Sequence, residues 1–123
     1  ITQNKIQPKL RIMVMGGLEE VGRNMTVLEY GDDIVIIDMG LQFPEENMPG
    51  IDYIIPDITY LETRAKNIRG VVITHGHYDH IGAISHLCPK LGNPTIYTAP
   101  RRIQNDSSCD SKNCARQRQN SVR

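Results

Sequence analysis

Val71-Val72-Ile73-Thr74-His75-Gly76-His77-Tyr78-Asp79-His80-Ile81-Gly82 is the stretch on which the reading of this chain turns. The chain has four histidines, and three of them fall within the six positions from His75 to His80, with Asp79 between the second and third. Imidazole nitrogen and carboxylate oxygen are the ligands that borderline divalent metals such as zinc prefer. A run this dense, directly after a short β-branched segment that reads as a buried strand, is half of a metal centre. If the backbone stays extended past Thr74, His75 and His77 point to the same side and reach one ion. Gly76 keeps bulk away from that ion. Asp79 and His80 come next, before a segment from Ile81 to Leu91 that reads as a helix, where a carboxylate near the N-terminus is electrostatically favoured. They point away from the first pair and suit a second metal. Two ions about 3.5–4 Å apart stabilise both the attacking and the leaving oxygen of a displacement at phosphorus. A surface loop that merely happens to be rich in histidine is the alternative, and the spacing speaks against it. His86, isolated within the helix, reads as an ordinary helical residue.

Upstream, Leu10 to Met15 is apolar enough for a strand and ends at Gly16-Gly17, a tight turn that lacks the further glycines or lysine of a phosphate-binding loop. Asn24 to Tyr30 is a second strand. Gly31-Asp32-Asp33 turns it into a third, Ile34 to Asp38, nearly continuous in apolar residues and therefore central. Residues 39–56 contain Pro44 and Pro49 and end at Pro56, so they form a long loop. Asp57 or Thr59 caps a short helix running to about Lys66, with Glu62 placed for a capping box with Thr59. Gly70 ends that connection, and a last strand lies near Thr95 to Tyr97. Strands first, then strand and helix alternating, give an α/β (α+β) fold, a mixed sheet with flanking helices.

The run His75-Gly76-His77-Tyr78-Asp79-His80 resembles the HxHxDH motif of the metallo-β-lactamase superfamily, whose members include lactamases, thioester hydrolases and nucleases. Gly16-Gly17-Leu18-Glu19-Glu20-Val21-Gly22-Arg23-Asn24-Met25, Ile37-Asp38-Met39-Gly40-Leu41-Gln42-Phe43-Pro44-Glu45-Glu46, Gly50-Ile51-Asp52-Tyr53 and Ile55-Pro56-Asp57 are similar to the ribonuclease J family, in order and spacing, from about Leu10 to about Pro100. The resemblance implies the N-terminal half of an αββα sandwich. It implies a cytoplasmic, metal-dependent ribonuclease, a 5′-3′ exonuclease and endonuclease of RNA maturation and decay, which hydrolyses phosphodiesters with zinc-bound hydroxide. His75 and His77 are then ligands of one zinc, Asp79 and His80 of the other, with Asp79 and His80 also assigned to catalysis and Mn2+ an alternative for either ion. Asp38 orients the metal loop from behind, although on residues alone it reads equally as a turn-forming aspartate. Gly50 and Asp52 match positions that hold a structural Ca2+ in relatives, and oxygen ligands suit that ion. Tyr78 departs from the glutamate common at its position and is not a ligand. Relatives are homodimers or homotetramers with RNA as substrate.

Further ligands in relatives, two histidines and a bridging aspartate, come from beyond the matched stretch, as does the RNA-gripping β-CASP domain. Four ligands shared between two ions hold each poorly, so the 123-residue chain is expected to bind zinc weakly and to lack nuclease activity alone. The second sheet that covers this one in relatives is also missing from the sequence, which implies an exposed apolar face and marginal stability. A small-molecule hydrolase, such as a thioesterase or lactamase, and a non-catalytic RNA-contacting fragment are the alternative functions.

Composition bounds these readings. No apolar run reaches the 18 or so residues of a membrane helix, and the polar segment 1–9 lacks the apolar stretch of a signal peptide. The chain does not begin with methionine, which implies a processed chain or an incomplete reading frame. Three cysteines do not make a disulfide framework: Cys88 packs as a small hydrophobe, and Cys109 and Cys114 are not at a strong zinc spacing. A reducing cytoplasm follows. The net charge of zero hides an asymmetry, since residues 1–100 carry 8 Lys/Arg against 12 Asp/Glu and residues 101–123 carry 6 against 2. Residues 101–123 read as a disordered basic tail, with RNA phosphate contact as the alternative. The abrupt change of composition there resembles a frameshift or truncation.

Overall fold

The computed structural model describes residues 7–99 of the 123-residue chain, so the readings of segments 1–6 and 100–123 lie outside the described residues. Five strands form one mixed sheet in sequence order: β1 (Leu10–Gly16), β2 (Met25–Tyr30), β3 (Asp33–Ile37), β4 (Ile68–Val72) and β5 (Ile96–Tyr97). The first three pair antiparallel, and β3–β4 and β4–β5 pair parallel. The Gly31-Asp32 turn closes the β2–β3 hairpin so that Tyr30 faces Asp33. Gly31 supplies the positive φ, 61°, that this reversal needs. β3 stands third of five, where its apolar run predicts it.

Strand register separates the two faces. Val27, Ile36 and Val71 lie side by side across β2, β3 and β4 and are completely buried. Leu61, Ala83, Leu87 and Leu91 pack onto them from the helical segments, with Met25, Ile34 and Met39 filling the same layer. On the opposite face, Leu10, Ile12 and Val14 of β1, Tyr30 of β2, Val72 of β4 and Tyr97 of β5 are all exposed. The helices therefore cover one side of the sheet only, and the expected bare apolar face is present among the described residues.

The helical segments are shorter than their sequence predicts. In place of a helix to Lys66 there is one turn, α1 (Thr59–Glu62), and then a 3-10 turn at Ala65–Asn67. The Thr59–Glu62 capping box does not form. Asp57 instead accepts hydrogen bonds from the Thr59 amide at 2.9 Å and its hydroxyl at 2.6 Å, and these hold its carboxyl below the ordinary carboxylate range. β4 begins at Ile68, ahead of Gly70. The helix expected from Ile81 to Leu91 is three pieces: α2 (Tyr78–Ile81), α3 (Ile84–Leu87) and a 3-10 turn at Pro89–Leu91. The break has a tertiary cause. The Ala83 amide, which in a continuous helix would bond the Asp79 carbonyl, donates to Met39 O at 2.9 Å, and the Asp79 carbonyl accepts from the Asn24 amide at 2.9 Å. The 39–56 loop thus takes over part of the helical ladder. Its later part is anchored by Tyr53, whose ring stacks on His86 at 4.4 Å, which gives the isolated histidine a packing role. Cys88 is buried, with its thiol 3.9 Å from the Met39 sulfur.

One buried acid ties β2 to α1. Glu29 accepts from the Tyr60 hydroxyl and pairs with Arg64 at 2.8 Å and Arg11 at 3.3 Å. The Tyr60 hydrogen bond first, then Arg64, holds the Glu29 carboxyl below its ordinary value of 4.5. A lowered folded-state pKa contributes stability that is present above 4.5 and lost as pH falls through the folded value. Tyr60→Phe is expected to destabilise the chain by about 1.5–3 kcal/mol. It should also flatten the acid limb of stability, which urea melts between pH 3 and pH 7 would measure.

Candidate metal centre

The two parallel strands β3 and β4 end next to each other, and the chain beyond each supplies the site. After β3, Asp38 adopts a left-handed backbone (φ 62°) and is buried. Its amide donates to Val72 O at 2.9 Å, which fastens it to the end of β4. Its carboxylate then accepts three hydrogen bonds. The Thr74 amide reaches Oδ1 at 2.8 Å, the Thr74 hydroxyl reaches Oδ2 at 2.8 Å, and Nδ1 of His80 lies 2.7 Å from Oδ2. Beside a carboxylate, that nitrogen carries the proton. Nε2 of His80 then faces Asp79 Oδ2 at 3.2 Å, and together the two atoms can serve an ion. Likewise Nδ1 of His75 faces the Thr74 hydroxyl oxygen at 3.0 Å. With the hydroxyl donating to Asp38, its oxygen can accept from His75 Nδ1, the tautomer that would leave Nε2 for an ion.

The strand does not continue through the histidines. β4 stops at Val72 and the chain bends at Thr74, which brings His75 over α2. The rings of His75 and His80 are 3.9 Å apart. His75, Asp79 and His80 each offer a ligand atom within 4.8 Å of the others, and all three are half-buried. His77 is adjacent, its ring edge-on to His75 at 4.7 Å, but it stands outside this group and is more exposed. Sequence spacing pairs His75 with His77 and Asp79 with His80; the folded chain sets His75 nearer to Asp79 and His80. Gly50 and Asp52 lie on an exposed part of the 39–56 loop, outside the group. Two imidazoles and a carboxylate match the donor set of zinc and its neighbours, so the group can hold a divalent metal ion.

Two residues that sequence reading passes over shape the centre. Asn24, just before β2, places its side-chain amide 3.0 Å from the Asp79 carbonyl oxygen and 3.2 Å from Asp79 Oδ2. Gly40 is the second: a Cβ there would overlap the Asp79 carbonyl oxygen and crowd the Asn24 amide. Both lie in segments that resemble the ribonuclease J family, Asn24 within residues 16–25 and Gly40 within residues 37–46, but nothing in the sequence ties either to the histidine run. Beside Asp79 opens a cleft lined in part by Val21, Leu41, Phe43 and Tyr78. The Phe43 and Tyr78 rings lie 6.1 Å apart, tilted by 58°, and line the cleft together.

Comparison with known proteins points to one family. The family description of the metallo-beta-lactamase superfamily matches residues 18–102. Ribonuclease J of Synechocystis is 42% identical over 97 residues, which are 79% of this chain and 15% of that protein. Ribonuclease J 1 of Streptococcus pyogenes is 43% identical over 101 residues, 81% of this chain and 18% of the relative. Ribonuclease J of Mycobacterium tuberculosis is 50% identical over 78 residues, 63% and 14% of the two chains. The chain therefore spans less than a fifth of the length of these relatives.

Gly40→Ala is expected to push Asp79 out of place and weaken metal binding at least about tenfold, as read by zinc titration calorimetry. Asp38→Asn puts an NH2 group against one of the three donors that the carboxylate now accepts. It should free the His80 ring to change tautomer, visible in its 15N chemical shifts, and cost about 10–100-fold in metal affinity.

Proposed function

The chain belongs to the metallo-beta-lactamase superfamily, and on that footing we propose that it carries part of the active centre of a metal-dependent ribonuclease, one that trims RNA from the 5′ end and also cuts internally in the cytoplasm. The observation that carries this reading is the convergence of His75, Asp79 and His80 beside the buried Asp38, in a chain 42–50% identical to ribonucleases J over 78 to 101 residues.

In this reading His75, Asp79 and His80 hold zinc with His77 beside them, and a second ion shares the cluster, manganese being an alternative in either place. Bound zinc supplies Lewis acidity, which polarises a phosphodiester and makes water a better nucleophile. The chain's own residues do the rest. Asp38 keeps the His80 proton on Nδ1, and Thr74 couples that carboxylate to His75. Val21, Leu41 and Phe43 give the cleft next to Asp79 an apolar side. The cleft is also lined by Glu19, Glu20 and Glu45. Such a lining repels phosphate, so the RNA backbone would approach the ions from another side and leave the cleft to apolar or base contacts.

Four candidate ligands shared by two ions make a weak site, and by this reading the 123-residue polypeptide alone has no nuclease activity. A panel of RNA and thioester substrates, run on this polypeptide and on the product of the whole parent gene, tests the proposal. RNA cleavage by the whole product alone is expected, abolished by His80→Ala or Asp79→Ala. Thioester hydrolysis without RNA cleavage would overturn the ribonuclease reading. Calorimetry finding two tightly bound zinc ions on the 123-residue polypeptide would overturn the account of an incomplete centre.

A further inference from the structure

We propose that Asn24 is a positioning residue of the metal centre, its side-chain amide holding Asp79 by Oδ2 and aiming the Asp79–His80 pair at the ion. The inference rests on the metal-centre reading above and adds to it a residue 55 positions before the ligand it would control.

Five contacts carry it. The Asn24 Nδ2 group lies 3.0 Å from the Asp79 carbonyl oxygen and 3.2 Å from Asp79 Oδ2. Both partners are acceptors, so the nitrogen of the amide, and not its oxygen, faces the site. The same nitrogen is 3.4 Å from His80 Nε2, which itself lies 3.2 Å from Asp79 Oδ2, so the amide sits against both members of the pair. The Asn24 main chain grips the same place: its amide donates to the Asp79 carbonyl at 2.9 Å, and its carbonyl accepts from Gly40 at 2.9 Å. One residue thus holds the ligand by main chain and side chain together.

The chemistry suits the task. A carboxylate oxygen has two lone pairs, so a hydrogen bond to Oδ2 restricts the rotamer and leaves Oδ1 and one Oδ2 lone pair for an ion. The amide is neutral: a lysine in its place would repel the metal, and an aspartate would repel Asp79. Its rotamer is itself fixed by packing. A Cβ on Gly17, where φ is +87°, would collide with Asn24 Oδ1, so that glycine makes the room the amide occupies.

The test uses the full 123-residue chain with cobalt(II), whose visible absorption reports ligand geometry, and measures affinity by competition with a chelator. Asn24→Leu keeps the bulk and removes the donor. It is expected to weaken cobalt binding about 10–100-fold and to alter the spectrum. Its melting temperature in chelator should fall only by the few degrees that a lost hydrogen bond costs. Asn24→Gln, which keeps an amide on a longer arm, should recover part of the affinity. If Asn24→Leu does not fold, Asn24→Ser, too short to reach Oδ2, takes its place with the same expected loss. Unchanged affinity and spectrum in the folded variant would overturn the proposal, as would a lowered melting temperature with cobalt binding intact, the mark of a purely structural role. Absence of any cobalt spectrum in the unsubstituted chain even with cobalt in large excess, where a weak site would fill, would sink the metal-centre reading itself, and this proposal with it.

Discussion

The buried carboxylate of Asp38 is the constraint around which this molecule is arranged. It accepts from the Thr74 amide, the Thr74 hydroxyl and His80, and its own amide is bonded to Val72 at the end of the neighbouring strand. A buried charge without partners would cost several kcal/mol or more. The folded state is therefore available only when β3, the loop after β4 and α2 are all in place. The left-handed backbone at Asp38 (φ 62°) is an uncommon conformation for a residue with a side chain. It persists because these contacts over-determine it. The same bonds that seal the end of the sheet also set the proton on His80, so stability and the chemistry of the site draw on one group.

The position of the site follows from the sheet. In open α/β sheets, ligands bind beyond the carboxyl ends of parallel strands, where loops from adjacent strands diverge. β3 and β4 are such a pair, running parallel from Ile34 and Ile68 to Ile37 and Val72. Asp38 and Thr74-His75 follow their ends. The segment 39–41 then runs alongside α2, with Met39 N donating to His80 O at 2.8 Å and Leu41 N to Tyr78 O at 3.0 Å. This pairing of loop with helix shortens α2 and fixes the direction in which Asp79 and His80 project. Gly40 is compatible with so close an approach because it carries no side chain.

The bare face of the sheet is the other consequence of this architecture. Alternation along β1 and β2 puts Ile12 and Leu28 on one side and Met13 and Val27 on the other. Both sets are apolar, so each side is built for burial, yet among the described residues the helices cover only the Val27 side. A sheet apolar on both faces is the pattern of a layer meant to lie between two others.

What the sequence determined by itself is what depends on local pattern. The strand segments, the Gly31-Asp32 reversal, the central place of β3 and the location of the chemistry at His75–His80 all follow from apolar runs, turn residues and ligand types at short spacing. The tertiary structure decided what depends on contacts far apart in the chain. The stretch from Ile81 to Leu91 has a helical pattern and a helix's length, yet it is broken at Ala83 because Met39, 44 positions earlier in the chain, takes its hydrogen bond. Thr59 and Glu62 have capping-box spacing, yet Asp57 holds the Thr59 amide. Asn24 reads as an ordinary residue at the edge of a strand until folding sets its amide against Asp79. Alternation and spacing act over a few residues and are written in order along the chain. A hydrogen bond between residues tens of positions apart depends on where two backbones meet, and only the packed sheet and its loops fix that.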